Sequence, residues 1–378
     1  MRILFYLPVV TPWWFDAIVA PLIRAASRGA DVTVMVPPLW RNTGVGAEQL
    51  KNCEDVEGVV WHILDHPDHP ALRHAGATPH LVDIVQELSP DLTICRSADL
   101  EAIDHFPGPV RFLMEAAAPP LVTDPTRVWL STSLFNHGFL PPLSSERRAL
   151  LDAAIEPLWA ERGAVFEQIV GEEFLHSVGL DPSKKRIVVP LDYEHPECFF
   201  DQHNILPDNV ALINELAGRL GDDFQLAVAN HPMNELHGDT LQLQEAIARH
   251  GDKVRLIVQA GTPDLISALL TKHCDGMIVG NSTNFTLAAF FGKPLLRLSH
   301  FRSAPWLETY DRSEDFFNAL RNGRAIGPRA NEARLWFAHH LFQLSFDPGE
   351  SGLTADHLIA RIDDPDEAVR WRAIGQAA

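Results

Sequence analysis

The chain has 378 residues, of which 46% are hydrophobic and 21% are charged, a composition typical of soluble globular proteins and not of disordered ones. Its 31 basic and 50 acidic residues give a formal net charge of −19, which disfavours broad binding to nucleic acid because the phosphate backbone is also negative. The length predicts two domains. The four cysteines are widely spaced and form no CxxC pair, so we expect reduced thiols and a cytoplasmic location.

In the N-terminal half, short apolar runs alternate with helix-like segments. The runs lack the polar alternation of half-exposed strands, which indicates strands that helices cover on both faces. The first run, MRILFYLPVV, predicts a buried strand and not a leader peptide, because no small-residue cleavage site follows it. We predict a helix over 14–28 and strands over 2–9, 31–36, 59–64, 91–95 and 110–114.

The middle of the chain changes character. Residues 119–143 are rich in Pro, Thr and Ser and predict a loop, whereas 144–177 predict a long helical stretch that Ser144 or Ser145 caps. The segment 179–185 predicts a linker between domains.

The alternation then restarts, with strands predicted over 186–191, 224–229, 254–258, 275–279 and 294–298. Alternating strands and helices predict an α/β fold with parallel, doubly wound sheets. We therefore expect two Rossmann-like domains, over 1–178 and 179–345, and a helical tail over 346–378. No apolar run has the roughly 18–20 residues that span a membrane, so at most peripheral membrane contact is expected.

Three short motifs in the second half predict a ligand site. Asn230-His231-Pro232 follows one predicted strand, Gly280-Asn281-Ser282-Thr283 follows another, and Phe291-Gly292-Lys293-Pro294 closes the next helix. Residues just past the carboxyl ends of parallel strands line the ligand crevice of such sheets. His231 is suited to bind a phosphate or to protonate a leaving group. Ser282 or Thr283 is suited to cap the next helix, and the same helix start is suited to bind a phosphate.

The order NHP, GNST and FFGKP resembles the C-terminal half of GT-B glycosyltransferases, especially bacterial sialyltransferases and the Kdo transferases of capsule and lipopolysaccharide synthesis. In those families the His and the hydroxyl pair contact the CMP part of a CMP-sugar. The segment 189–195, VPLDYEH, also resembles the VPLQ stretch of capsule Kdo transferases, with Asp192 where Gln is usual. The resemblance implies an N-terminal acceptor-side domain, a C-terminal nucleotide-sugar-binding domain and a cleft between them. The predicted substrate-binding residues are His231, Pro232, Gly280, Asn281, Ser282, Thr283 and Lys293.

Glycosyl transfer also needs a carboxylate, either as a base or as a nucleophile. Glu115 and Asp192 follow predicted strands and are, with His231, the predicted catalytic residues; Glu194 and Asp16 are weaker candidates. The resemblance favours a nucleophile and retention of configuration, but the residues alone leave both roles open.

The expected reaction moves a sugar from CMP-Kdo, or a related CMP-ulosonic acid, to a bacterial surface glycan or glycolipid. We predict no metal and no other cofactor, because the histidines between His62 and His80 lack a regular ligand spacing. The alternatives are a CDP-glycerol-type polyol-phosphate transferase, a UDP-sugar transferase or a UDP-sugar 2-epimerase. A sugar-binding or scaffolding protein without catalytic activity is the alternative outside enzymes.

Overall fold

A computed structural model describes residues 1–64, 79–135, 137–169, 171–195, 198–237, 240–257 and 263–363. The chain forms two compact units. Unit 1 contains Met1–Ala117, Asp124–Leu134 and the C-terminal segment that begins at His340, and unit 2 contains Ala118–Thr123 and Phe135–His339. None of the described helices has both the length and the apolar character that crossing a lipid bilayer requires.

Each unit is built on one sheet. Unit 1 has six strands in the order β3-β2-β1-β4-β5-β6, and unit 2 has five in the order β11-β10-β7-β8-β9. All pairs are parallel except β5 with β6. The strands are β1 Arg2–Tyr6, β2 Asp31–Val36, β3 Val59–Ile63, β4 Leu92–Cys95, β5 Val110–Glu115, β6 Val128–Ser131, β7 Lys185–Pro190, β8 Phe224–Ala229, β9 Val254–Ile257, β10 Gly276–Val279 and β11 Leu295–Arg297.

Helices connect the strands and cover the sheets. The predicted α/β class, with two Rossmann-like doubly wound units, is therefore confirmed. The helices are α1 Pro12–Trp14, α2 Ala20–Ala26, α3 Ala47–Lys51, α4 Pro79–Leu88, α5 Leu100–Ile103, α6 Ser145–Glu167, α7 Gly171–Ser177, α8 Asn209–Arg219, α9 Pro232–His237, α10 Leu241–Arg249, α11 Pro263–His273, α12 Phe285–Phe291, α13 Ser313–Arg321, α14 Ala330–His339 and α15 Ala355–Asp363. The described residues also form two π-helical turns, Phe15–Val19 and His340–Leu344, and three 3₁₀ turns.

Separate apolar cores hold the two units together. In unit 1, Phe5, Phe15 and Val34 join β1, β2 and the turn after β1, and Leu358 of α15 packs against the same core. In unit 2, Phe224 and Phe316 anchor a core between the sheet and its helices. Burial of these side chains on both faces of a sheet explains why the strands have near-continuous apolar sequences.

The long helix α6 belongs to unit 2. Its Trp159 ring lies 4.4 Å from that of Phe290 in α12, and Arg148 forms a bidentate ion pair with Glu332 of α14. The sequence prediction instead kept residues up to 178 with the N-terminal domain. Packing on α12 and α14, which follow much later in the chain, places α6 with the second unit.

Strand β6 lies inside 119–143, a stretch predicted as a loop, and this prediction is wrong at Val128–Ser131. The strand pairs antiparallel with β5, and its Val128 also pairs with Phe346. The predicted tail over 346–378 contains one described helix, α15, while residues from 364 onward lie outside the described residues.

Candidate active site

The candidate site lies at the carboxyl edge of the sheet in unit 2. Strand β7 is central. The chain adds β8 and β9 on one side of β7 and then β10 and β11 on the other, so the strand order reverses between β7 and β10. Such a switch point opens a crevice at the carboxyl ends of the strands. Neighbouring strands are about 4.8 Å apart, so residues that follow β10, β7 and β8 lie within about 10 Å of one another. These are the segments that begin at Gly280, Leu191 and Asn230.

Asp192 occupies the switch point. Its main-chain carbonyl accepts hydrogen bonds from Asn209 Nδ2 at 2.9 Å and from Asn234 Nδ2 at 3.0 Å, which fix the backbone after β7. Its carboxylate has no hydrogen bond or ion pair with any described residue. Burial raises the pKa of this carboxyl to about 6. A buried carboxylate without a partner is poised to exchange a proton near neutral pH.

The space beside Asp192 is a small cleft that is open to solvent. Gly280 forms its opposite wall: a Cβ built on this glycine would lie only 2.9 Å from Asp192 Oδ2. The absent side chain therefore lets the carboxylate and the backbone after β10 approach closely. The remaining lining comes from the segment after β7, from α8 and from the residue after β11, and comprises Glu194, Asn204, Ile205, Leu206, Asp208, Asn209, Leu212 and Leu298.

The cleft is acidic on the α8 side. Glu194 Oε1 accepts the main-chain N–H of Asn209, and Asp208 caps α8 by accepting the N–H of Ala211 at 2.6 Å. Burial raises the pKa of Glu194 to about 7, and the carboxylates of Asp208 and Asp192 add to the rise. This wall is suited to hydroxyl groups, because carboxylates accept their hydrogen bonds. It repels phosphates, because carboxylates and phosphates are both negatively charged.

His231 follows β8 and immediately precedes α9. Its Nδ1 accepts the main-chain N–H of Met233 at 3.2 Å, which in the neutral ring places the proton on Nε2. The ring lies 5.5 Å from that of Tyr193, the residue after Asp192. Pro232 is the first residue of α9 and directs the chain into that helix. His231 is thus held beside the switch point with an N–H donor, as its predicted role requires.

The segment Gly280–Thr283 is at the same edge, but its hydroxyls differ from the prediction in one respect. Helix α12 begins at Phe285, and its N-cap residue is Asn284, whose side chain makes no capping bond. Ser282 Oγ accepts the N–H of Asn284 at 3.2 Å and so stabilises the preceding turn, and Thr283 is exposed. The predicted capping of α12 by Ser282 or Thr283 is therefore wrong.

Asn281, in the segment after β10, forms hydrogen bonds that connect this segment to its neighbours. Its side chain donates to the carbonyl of His203 at 3.2 Å and accepts the hydroxyl of Ser299 at 2.6 Å, while its carbonyl oxygen lies 3.3 Å from His137 Nε2. Asn281 therefore joins the ends of β10 and β11 to two loops.

Lys293 does not join the other predicted substrate-binding residues. It lies two residues before β11 begins, at the amino edge of the sheet. The charges that act on it, Asp275 and Arg186, belong to the same edge, and burial lowers the pKa of its ammonium. Because β10 has four residues at about 3.3 Å each, the two edges are about 13 Å apart. The structure therefore does not bring Lys293 together with the other predicted substrate-binding residues, and its role in the site stays a prediction.

The predicted carboxylates of unit 1 have local partners. Glu115 ends β5 and lies 3.6 Å from Arg96, with half of its side chain exposed. Asp16 accepts hydrogen bonds from Gln49 at 3.1 Å and Asn52 at 2.8 Å, which gives it a structural task on α3. A catalytic role for Glu115 stays a prediction.

Sequence reasoning missed Asn209 and Asn234, which hold Asp192, and Arg297 at the end of β11. A charged residue inside the apolar run PLLRLSH was the available signal for Arg297. Among described residues, no group of three or more His, Cys, Asp or Glu side chains is arranged to hold a metal ion. Most of the histidine run, at 65–78, lies outside the described residues.

No protein-family model matches the chain, and no curated protein matches its sequence. Several solved structures are similar along most of their length. The KpsC β-Kdo 2,7-transferase of Thermosulfurimonas dismutans is 13% identical, with 86% of this chain and 98% of that chain covered and a TM-score of 0.46. The UDP-GlcNAc 2-epimerase of Neisseria meningitidis is 13% identical (96% and 99% covered, TM-score 0.31). The ADP-heptose heptosyltransferase II of E. coli is 14% identical (85% and 99%, TM-score 0.29). Because these identities and TM-scores are low, the function is argued from this chain's own residues.

Proposed function

We propose that the chain is a glycosyltransferase that uses a nucleotide-activated sugar, with CMP-Kdo or a related CMP-ulosonic acid as donor. The observation that carries the proposal is the partly buried carboxylate of Asp192, which has no hydrogen-bond or ion-pair partner among the described residues and lies beside Gly280 at the switch point of the sheet in unit 2. The neighbouring His231 supplies an N–H donor at the same edge. A base and a donor side by side suit a displacement at a sugar carbon.

In the proposed reaction the acceptor hydroxyl attacks the anomeric carbon and gives its proton to Asp192. The bond from that carbon to the phosphate oxygen breaks, and CMP leaves. His231 Nε2–H donates to the departing phosphate oxygen and stabilises its charge. In the retaining variant Asp192 itself bonds to the anomeric carbon, and a covalent adduct of the protein would then be detectable by mass spectrometry.

The acceptor in this proposal is a bacterial surface glycan or glycolipid. The acidic wall formed by Glu194 and Asp208 supports a hydroxyl-rich ligand, because carboxylates pair with sugar hydroxyls. The CMP part is assigned to His231 and to Ser282 and Thr283 by the resemblance of their motifs. His231, Ser282 and Thr283 do not belong to the acidic wall, which supports placing the phosphate with them and not beside Glu194 and Asp208.

The test is a transfer assay with CMP-Kdo and a lipopolysaccharide-core or capsule acceptor, which follows CMP release and the mass of the product. Wild-type protein should release CMP and lengthen the acceptor, and the variant Asp222→Asn, at an exposed carboxylate, should do the same. Transfer from a UDP-sugar, epimerisation of UDP-GlcNAc, or glycerol-phosphate transfer from CDP-glycerol would replace the proposed donor. Nucleotide binding without turnover of any donor would favour a sugar-binding role.

A further inference from the structure

A buried arginine lies beside the candidate active site without an acidic partner. Arg297 is 4% exposed. It donates from Nη1 to Ser303 Oγ at 2.7 Å and from Nη2 to Ser299 Oγ at 3.0 Å. Within the described part of the chain, its Nε has no hydrogen-bond acceptor, and no carboxylate oxygen lies within 4.0 Å. A buried charge is normally paired, so this guanidinium lacks the counterion that burial calls for.

The guanidinium lines a cavity of about 340 Å³ at the end of β11. Two arginines, Arg297 and Arg302, line it together with His300, Ser299 and Ser303, and Asp311 is its single carboxylate. Positive groups thus outnumber negative ones here, although the whole chain carries a net charge of −19. A local cationic cavity in an acidic protein favours a small anion.

The electrostatics of the neighbouring groups agree with an uncompensated cation. Burial lowers the pKa of Arg297 to about 9, and Asp311 opposes that shift without reaching ion-pair distance. Burial and the charge of Arg297 together lower the pKa of His137 to about 3. Arg297 is nevertheless charged at neutral pH, while His137 is neutral, so the positive charge at this point comes from Arg297 and not from His137.

Two hydrogen-bond donors at this cavity, on Arg297 and Ser303, have no acceptor among the described residues. Ser299 Oγ accepts from Arg297 and from the N–H of Phe301 and gives its own proton to Asn281, so its capacity is used. Ser303 Oγ accepts from Arg297, and its proton has no acceptor among described residues. The Ser303 hydroxyl is therefore free to donate, and the Nε–H of Arg297 has no acceptor but is itself buried, so a ligand would meet the guanidinium at its Nη groups. We propose that this cavity binds an oxyanion, a carboxylate or phosphoryl group of a bound ligand, through Arg297 and Ser303.

The cavity adjoins the cleft of Asp192. Ser299 bonds to Asn281 of the Gly280–Thr283 segment, and Leu298, the residue before Ser299, lines the Asp192 cleft. A ligand that places hydroxyls beside Asp192 can thus extend an anionic group toward Arg297. Guanidinium groups bind carboxylates and phosphates with two parallel hydrogen bonds, which a serine hydroxyl complements.

Calorimetric titration of the full chain with inorganic phosphate and with gluconate tests the proposal, with glucose and matched chloride as blanks. Wild-type protein should bind at least one anion saturably and should not bind glucose. Arg297→Met should raise the dissociation constant about tenfold or more, and Ser303→Ala should raise it severalfold. Binding of phosphate alone would identify a phosphoryl site, and binding of gluconate alone a carboxylate site.

The matched control is Arg219→Met, which removes a half-exposed arginine paired with Glu215 far along the chain from the cavity. It should bind the anions as wild type does. No saturable binding by wild type, or undiminished binding by Arg297→Met, would overturn the proposal. If Arg297→Met does not fold, undiminished binding by Ser303→Ala would overturn it instead. No nucleotide is used, so the result stands apart from that of the transfer assay.

Discussion

The two edges of the sheet in unit 2 both carry acidic and basic residues, but the edges differ in whether these charged side chains have partners of opposite charge. At the amino edge, Asp275 accepts the main-chain N–H of Arg186 at 2.8 Å and forms an ion pair with its side chain at 3.5 Å. At the carboxyl edge, within the described part of the chain, the carboxylate of Asp192 has no partner and the guanidinium of Arg297 has only serine partners. Paired charges stabilise a fold locally, whereas unpaired buried charges persist where a ligand uses them.

A sequence motif at the amino edge has a structural role that differs from the one its sequence predicts. Gly292-Lys293-Pro294 resembles a phosphate-binding turn in sequence, yet Gly292 adopts φ 64° as the left-handed end of α12, and Lys293 bonds back to Ala288. These are the tasks of a helix terminus. Three segments with comparable sequence signals thus divide into two that reach the crevice and one that ends a helix at the opposite edge.

The largest expected effect follows removal of the ionisable group at the carboxyl edge. Asp192→Asn should lower kcat of sugar transfer by about 10²- to 10⁴-fold, because an amide cannot take the acceptor proton or form a glycosyl bond. In wild type, kcat/KM should fall as the pH drops through about 6, the pKa of this carboxyl. Initial rates between pH 5 and 8 check both statements. A rate within threefold of wild type would remove Asp192 from the chemistry.

A smaller effect concerns stability. Burial raises the pKa of Asp192 to about 6 in the folded state, from about 3.9 in the unfolded chain. The carboxyl therefore costs nothing below about pH 4; stability is lost as the pH rises from about 4 to about 6, and the full loss of about 2–3 kcal/mol is present above pH 6. Asp192→Asn should remove this loss and be more stable than wild type at pH 7, and equally stable at pH 4. Urea unfolding at the two pH values measures the difference.

Glu194, with a pKa near 7, adds its own loss at higher pH in both proteins, so the difference between them reports Asp192. The exposed-site variant Asp222→Asn should follow wild type throughout. Equal stability of wild type and Asp192→Asn at pH 7 would contradict the assigned burial of a charged carboxylate.

The smallest effect is expected at the amino edge. Lys293→Met should leave kcat/KM within about twofold of wild type, since its main chain lies at the opposite edge of the sheet, about 13 Å along β10 from the crevice edge. It should not weaken folding, because the change removes a buried positive charge that is costly to desolvate. Parallel measurement of initial rates and urea unfolding checks this. A tenfold loss of kcat/KM in a folded variant would return Lys293 to the site.

Strands buried on both faces were predictable from sequence. The observed bounds of Asp31–Val36 and Phe224–Ala229 equal the predicted ones, because apolar runs flanked by polar turns define such strands directly. Strand β6 was missed because it has four residues and an edge position, and because its Val128 pairs with Phe346, more than 200 residues later. Neither feature leaves a local periodic signal.

The candidate site was predictable only in part. Asp192 and His231 were found because strand ends mark the crevice of a parallel sheet. Arg297 was missed because its run reads as a buried strand, and Lys293 was grouped with the site because a Gly-Lys-Pro turn has the same sequence whether it faces a ligand or ends a helix. The order of strands in the sheet decides which segments lie next to one another, and no single motif predicts that order.

The central claim is that the carboxyl edge of unit 2 binds a cytidine nucleotide beside His231. The most direct measurement is the thermal unfolding of wild type, His231→Ala and a control, His250→Ala, with CMP, CDP, UMP, UDP and GDP. His250, the residue that follows α10, bonds to Asn214 of α8, and neither residue lines the crevice. Ligand binding to the folded state alone raises the melting temperature. We expect CMP to raise Tm in wild type and His250→Ala but not in His231→Ala. An equal CMP shift in His231→Ala, or none in wild type, would contradict the claim.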